Sequence, residues 1–152
     1  MLEQTAALLN ELLEAYGRSD DRFGLVHADM RLANLLVDGD TLFVIDFDDC
    51  GFSWYLYDFA AAVSFKEDEP FIPALQAAWI EGYRTVAPLS DEDCAMIPVF
   101  IMLRRMLLTA WIASHSETPT AQTMGEGYTH GTVVLARAFL EKYAPEDERI
   151  AS

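Results

Sequence analysis

Two β-prone runs, Leu35-Leu36-Val37 and Thr41 to Ile45, are joined by Asp38-Gly39-Asp40, and this is the feature that most restricts what the chain can fold into. A glycine between two aspartates is strong turn chemistry, so residues 35–37 and 42–45 should fold back on each other as an antiparallel hairpin. In such a ladder the start of the first strand meets the end of the second. Asn34 and Asp46, one just before and one just after the hairpin, are therefore expected side by side. Directly opposite residues have Cβ atoms about 4.5–5.5 Å apart, close enough for one amide oxygen and one carboxylate to hold a common cation. Asp29 lies five residues upstream of Asn34 and should reach the same end of the hairpin.

These residues belong to a spaced pattern: His27-Ala28-Asp29-Met30-Arg31-Leu32-Ala33-Asn34 has the form HxDxxxxN, and Asp46 follows Asn34 by twelve positions. Such a coincidence should arise in only about one chain in a thousand at average composition, so the spacing carries information. A set of oxygen donors suits Mg²⁺, which takes one or two carboxylates together with substrate phosphates and water. Phosphoryl transfer requires a carboxylate near the acceptor hydroxyl and metal ions on the phosphates. Asp29 fits the first requirement; Asn34 and Asp46 fit the second. His27 is read as a brace of the loop. The bland alternative is a hairpin flanked by turn residues, with Asp29 and Asn34 merely satisfying loop backbone.

The chain has 152 residues, 52% of them hydrophobic, which is enough for one globular domain with a core over residues 1–152. Its 25 acids against 10 Lys and Arg give a formal charge of −15, which argues against nucleic acid or an anionic membrane as partner and favours cations or amines. Cys50 and Cys94 have no ligand spacing, so neither a zinc site nor a disulfide is expected, and a reducing cytoplasm is the plain inference. The opening residues carry three glutamates and do not form a signal peptide. The stretch Cys94 to Ala113 is apolar enough to suggest a membrane span, but Arg104 and Arg105 fall at its middle. Each would cost about 2.5–3.5 kcal/mol at a bilayer centre, so a buried core helix is expected, paired with some of the acids.

Helical periodicity places an amphipathic helix at the start, with Leu8, Leu9, Leu12, Leu13 and Tyr16 on its apolar face and Gly17 closing it. Residues 54–65 read as a helix, as do Pro70 to Val86. Ser90 with Asp93 resembles a capping box opening a long helix that ends near His115, covered on most sides. A last helix spans roughly Thr129 to Tyr143. Trp54, Tyr55 and Tyr57, and the stripe Met96, Phe100, Met102, Met106 and Trp111, are read as packing. His115 and His130 are read as surface or helix-end residues. The acidic run Glu67, Asp68 and Glu69 is either a solvated face or an attractor of an aminated substrate.

HADMRLANLL, then VIDFDDCGF, then LYDFAAA resemble the aminoglycoside phosphotransferase and choline kinase branch of the protein-kinase-like fold. Homoserine kinases and bacterial stress-response kinases are close relatives in that group. The resemblance implies an α+β, mainly α-helical C-terminal lobe with a small catalytic β-hairpin. It further implies ATP as phosphoryl donor, Asp29 as catalytic base, Asn34 and Asp46 as metal ligands, and Asp58 as the tether of the catalytic loop. Asp48 stands where protein kinases have glycine and allows a further carboxylate near the metal. No glycine-rich loop precedes His27 and the first lysine is Lys66, so the N-terminal nucleotide lobe is missing from this sequence. The isolated lobe is expected to be inactive and to self-associate, or to pair with the missing lobe, through its exposed face. Two rival readings remain: a non-catalytic binding or regulatory module, and a metal-dependent hydrolase.

Overall fold

The computed structural model describes residues 1–145 and has an α+β, mainly helical architecture. In chain order the elements are α1 (Leu2–Tyr16), β1 (Phe23–Val26), a 3-10 turn (Leu32–Asn34), β2 (Leu35–Asp38), β3 (Thr41–Val44), β4 (Gly51–Trp54), α2 (Tyr57–Ala62), α3 (Ile72–Arg84), α4 (Asp91–Ser114) and α5 (Pro119–Tyr143). They group into two compact units. One runs from Gly17 to Ile101; among the described residues the other joins Met1–Tyr16 to residues 102–145.

The first unit contains two nested antiparallel pairs. In the inner one, β2 and β3 run from Leu35 opposite Val44 to Asp38 opposite Thr41, leaving Gly39 and Asp40 as the turn. Gly39 has φ of 58° and Asp40 is not among the positive-φ residues, the pattern of a type II′ turn with glycine at its first central position. In the outer pair, β1 and β4 run from Phe23 opposite Trp54 to Val26 opposite Gly51. The outer pair was not legible in the sequence. Its strands are four residues each and lie far apart in the chain, and β4 ends at Trp54, where the helical reading begins. The helix expected over residues 54–65 begins at Tyr57. Val26 opposite Gly51 closes residues 27–50 into one excursion, so every residue of the HxDxxxxN pattern, together with Asp46 and Asp48, lies between the outer and inner pairs or on the inner one.

Packing around the outer pair is aromatic. Trp54 meets Phe23 edge-on at 5.4 Å and Phe100 at 5.7 Å, and its Nε1 donates to the Gly17 carbonyl at 2.6 Å. Trp54 and Tyr57 are buried, which agrees with the packing role expected of them. Phe59 of α2 is buried and lies 5.1 Å from Trp79 of α3. Ser90 and Asp93 form the expected capping box at α4: the Ser90 Oγ accepts from Asp93 N–H at 3.0 Å and the Asp93 carboxylate accepts from Ser90 N–H at 2.9 Å. Pro98 sits inside α4 and removes a helical donor there.

In the second unit α1 packs on α5, burying Thr5, Leu8, Leu9, Leu13 and Tyr16. Arg105, 3% exposed, donates from Nε to the Thr132 hydroxyl at 2.8 Å and from Nη2 to the Tyr128 carbonyl at 3.0 Å, with the Tyr128 ring 3.6 Å from its guanidinium carbon. A hydroxyl, a carbonyl and a ring face are among the groups that hold this guanidinium. The α4 helix is long and apolar enough to cross a membrane, and it buries Ile97, Val99, Phe100, Leu108 and Ile112 within the fold. Its covering is less complete than expected: Leu107 is 49% and Trp111 37% exposed, and Trp111 stacks on His115 at 4.9 Å. The last helix begins ten residues earlier than its periodicity suggests, at Pro119, and bends at Gly125, where φ is 52° and ψ −153°. That bend breaks the apolar periodicity, which is why only the part after it was visible.

One contact in the outer pair is tight enough to test. A Cβ placed on Gly24 would overlap the Tyr55 hydroxyl and come within 2.8 Å of two ring carbons. Gly24→Ala should therefore cost about 1–3 kcal/mol, read as a lower urea midpoint; an unchanged midpoint would show that Tyr55 yields freely.

Candidate active site

The candidate residues are assembled by the backbone of the loop that leaves β1. Ala28 adopts φ of 65°, a left-handed conformation that costs an L-residue about 1–2 kcal/mol. The turn is held by Asp58, in the first turn of α2, whose carboxylate accepts the N–H of His27 at 3.0 Å and of Ala28 at 2.7 Å. His27 is 4% exposed. Its Nε2 donates to the Ile45 carbonyl at 2.9 Å and its Nδ1 accepts the Asp29 N–H at 3.3 Å. The two bonds together specify the tautomer with hydrogen on Nε2, because a carbonyl can only accept. The ring also lies 4.8 Å from Phe47. One imidazole thus joins the loop to the end of β3.

Asp29 is 7% exposed. Its carboxylate accepts from Asn34 Nδ2 at 3.1 Å, and the same amide donates to the Asp29 carbonyl at 2.9 Å. These bonds orient the Asn34 side chain with its NH₂ toward Asp29, and its Oδ1 has no hydrogen-bond partner among the described residues. The Ile45 N–H donates to the Asn34 carbonyl at 3.0 Å, continuing the inner ladder by one step. Asn34 therefore faces Ile45, and Asp46 is the next residue along. This offset of one position departs from the directly opposed pair that the turn alone suggests. Asp46 has φ of 65° and is exposed, as are Asp48 and Asp49 in the turn that follows.

Among the described residues no group of three or more His, Cys, Asp or Glu is arranged to hold a metal. The donors at the mouth of the hairpin are instead a free amide oxygen on Asn34 and the solvent-facing carboxylate of Asp46. That set fits Mg²⁺, which binds through few protein oxygens and completes its shell with phosphate and water. It does not fit zinc, which asks for nitrogen and sulfur ligands in a closed arrangement.

Arg31 is the residue whose place here the sequence reading missed. Its Nε donates to both Asp29 carboxylate oxygens, at 2.9 and 3.0 Å, and its Nη2 to one of them at 2.8 Å. A signal was present: Arg31 is the sole Lys or Arg between Arg22 and Lys66, in a segment where residues 27–58 hold seven aspartates. A separate cavity of about 510 Å³, lined by Trp79, Gly82, Tyr83, Val86 and Ala87, involves none of these residues. Burial, with the nearby Tyr55 and Asp93, pushes the Tyr83 phenol above its usual value. In the acidic run Glu67 is buried and accepts the Phe65 N–H at 3.1 Å, so it is a structural residue and not part of a solvated face.

A sequence model of the phosphotransferase enzyme family matches residues 1–89, more than half of the chain. The chain belongs to that family. Its relatives include the amicoumacin kinase of Bacillus subtilis, 29% identical over 117 residues, covering 71% of this chain and 34% of the relative. A homoserine kinase of Methylobacterium radiotolerans is 34% identical over 110 residues, covering 66% and 34%. Among solved structures, the microcompartment-associated aminopropanol kinase superposes with a TM-score of 0.85 at 48% identity, over 92% of this chain and 44% of that one. An amicoumacin kinase solved in complex with AMP-PNP, Ca²⁺ and Ami gives a TM-score of 0.69 at 25% identity, over 93% and 44%. The fold is therefore the kinase-like one, and this chain spans about a third to under half the length of these family members.

The loop geometry makes a prediction that does not depend on activity. Asp58→Ala leaves the buried His27 N–H and the Ala28 N–H without their acceptor and should cost about 2 kcal/mol or more. Hydrogen exchange should quicken at those two amides first. Ala28→Gly relieves the left-handed strain and should leave stability equal or raise it by up to about 1 kcal/mol.

Proposed function

We propose that this chain is the C-terminal, acceptor-side lobe of an ATP-dependent kinase that transfers the γ-phosphoryl group to the hydroxyl of a small amino alcohol. The observation that carries the reading is the Asp29 carboxylate, anchored beside an Asn34 whose amide oxygen is left free, at the mouth of a hairpin that ends in Asp46. Asp29 accepts the proton of the attacking hydroxyl. Asn34 and Asp46 hold Mg²⁺, with Asp48 as a further carboxylate within the same loop, and the metal supplies charge neutralisation on the phosphates. His27 and Asp58 keep the loop in shape and touch no substrate. The amino alcohol follows from the aminopropanol kinase likeness, at 48% identity over nearly all of the chain, and from the chain's charge of −15, which favours a cationic acceptor.

The nucleotide lobe is the natural cover for the inner hairpin. Leu36 opposite Phe43 lies on one face of the ladder and Val37 opposite Leu42 on the other, yet all four are between 49% and 74% exposed. A two-stranded hairpin apolar on both faces is marginal in water. Burial under a partner lobe, or self-association in its absence, removes that exposure. A metal-dependent hydrolase is less well supported, since it needs more carboxylate or imidazole ligands than the described residues bring together.

The test is phosphorylation of aminopropanol, ethanolamine and homoserine by the complete protein that carries these residues. Asp29→Asn should lower kcat by about 10²–10⁴, with the folded fraction measured alongside because the change also removes the carboxylate that Arg31 pairs with, and this chain alone should show no transfer. Full activity in the Asp29 variant would remove that residue as the base, and absence of ATP-dependent product from any hydroxylated amine would remove the amino-alcohol reading.

A further inference from the structure

One side of α3 is apolar and open to water. Phe71, Leu75, Ala78, Gly82 and Val86 follow one another at steps of three or four residues, which sets them in a single stripe along the helix. Phe71 and Thr85, at the two caps, keep right-handed helical dihedrals, so the stripe runs on past the helix end to Val86. All five are exposed, Phe71 to 50%, Leu75 to 40% and Val86 to 89%, whereas Ile72 is buried and Trp79 and Tyr83 are half-buried on the adjoining face. Charge is scarce here. Residues 70–90 hold one acid, Glu81, and one base, Arg84, in a chain whose charge is −15.

The stripe has relief. Its N-terminal half projects, through Phe71 and Leu75. Its C-terminal half is hollow, because Gly82 has no side chain and the cavity of about 510 Å³ that it lines with Trp79, Tyr83, Val86 and Ala87 lies there. Glycine is the poorest helix former after proline, and the fold does not require one at this position. A Cβ built on Gly82 meets nothing within 4 Å beyond its own helix backbone, and its φ is not positive. A helical glycine that its own chain leaves unused is explained by a close approach from outside.

We propose that α3 is a homodimerisation surface: two copies of this chain pair antiparallel along the stripe, each seating Leu75 and Phe71 in the hollow half of the other. The symmetry of the stripe selects a second copy as the occupant. Leu75 and Gly82 are equidistant from the point midway between Ala78 and Trp79, and so are Phe71 and Val86. One two-fold axis through that point therefore sets Leu75 over Gly82 and Phe71 over Val86 in both directions at once, as an isologous contact requires. Charge agrees with this choice. Two copies at −15 repel each other, and a stretch of net charge zero is a face through which they can meet. From Phe71 to Val86 the stripe is about 22 Å long, and a helix is about 10 Å across, so the contact covers about 220 Å² of each copy in projection. That is far below an obligate interface, and the dimer is reversible, populated at about 100 µM. The proposal does not rest on the phosphotransfer reading, and the surface is distinct from the inner hairpin.

Sedimentation velocity on the complete protein that carries these residues, from about 1 to 100 µM, tests it. The parent should pass from monomer towards dimer across that range. Gly82→Leu fills the hollow where a single copy has open space and replaces a poor helix former, so it should keep or raise the thermal midpoint while weakening dimerisation about tenfold or more. Leu75→Glu brings two like charges into the contact and should have the same effect on association; it carries the test if the Gly82 variant fails to fold. Val37→Glu, on the inner hairpin, should leave the α3 dimer in place. In a background lacking both native cysteines, Ala78→Cys lies beside the axis and should crosslink to its own copy on mild oxidation, while Ala77→Cys, turned off the stripe, should not. A parent that stays monomeric at 100 µM overturns the proposal. So does a dimer that survives both α3 variants, or one that only Val37→Glu abolishes, which would assign association to the hairpin.

Discussion

The carboxylate of Asp58 is the constraint on which the rest of the site depends. By accepting two consecutive N–H groups, from His27 and Ala28, it holds a non-glycine residue at positive φ. The strain at Ala28 is comparable to the net gain from one or two hydrogen bonds to a charged group, so neither the turn nor the tether is stable without the other. Once the turn is made, Asp29 follows at a buried position and the His27 ring is directed to the Ile45 carbonyl. The start of the loop is thereby pinned twice, to α2 through Asp58 and to Ile45, just past β3, through His27.

Nesting two hairpins converts this local pinning into a site. The inner pair closes with a two-residue turn, so its register is set by local sequence. The outer pair closes over residues 27–50, and the entropy of closing a longer loop rises only slowly with its length, by about 0.6 kcal/mol for each doubling. That modest cost is met by the aromatic packing of Trp54 with Phe23 and Phe100 and by its bond to Gly17. The chemistry-bearing residues occupy the two segments between the ladders, where backbone is free to take unusual conformations. Ala28 and Asp46, both at φ of 65°, are there.

What could be read from the sequence divides along the same line. The inner hairpin, the capping box of Ser90 and Asp93, and the helix closed by Gly17 are local, and residue identity specifies each within a few positions. The outer pair, the bend at Gly125 and the oxygen and ring partners of Arg105 arise from contacts remote in sequence, and periodicity carries no trace of them. Arg31 is a different case. Its neighbours are two and three residues away, but the pattern HxDxxxxN treats its position as arbitrary, and a pattern of fixed residues conceals whatever lies at its variable ones. A count of charge along the segment would have singled it out.

That charge balance bears on how a strongly acidic chain handles phosphate at all. Carboxylates that bind a cation do so at the expense of repelling the nucleotide, and the two demands are reconciled when positive charge is confined to the point where the phosphoryl group must sit. A divalent cation held by Asn34 and Asp46, as proposed, would place two charges there. Arg31 adds one positive charge in this segment without extending the basic surface, because its inner edge is already paired with the Asp29 carboxylate. Pairing Arg31 with the buried Asp29 sets the one Lys or Arg of residues 27–58 on a carboxylate withdrawn from solvent, while Asp46 and Asp48 stay exposed.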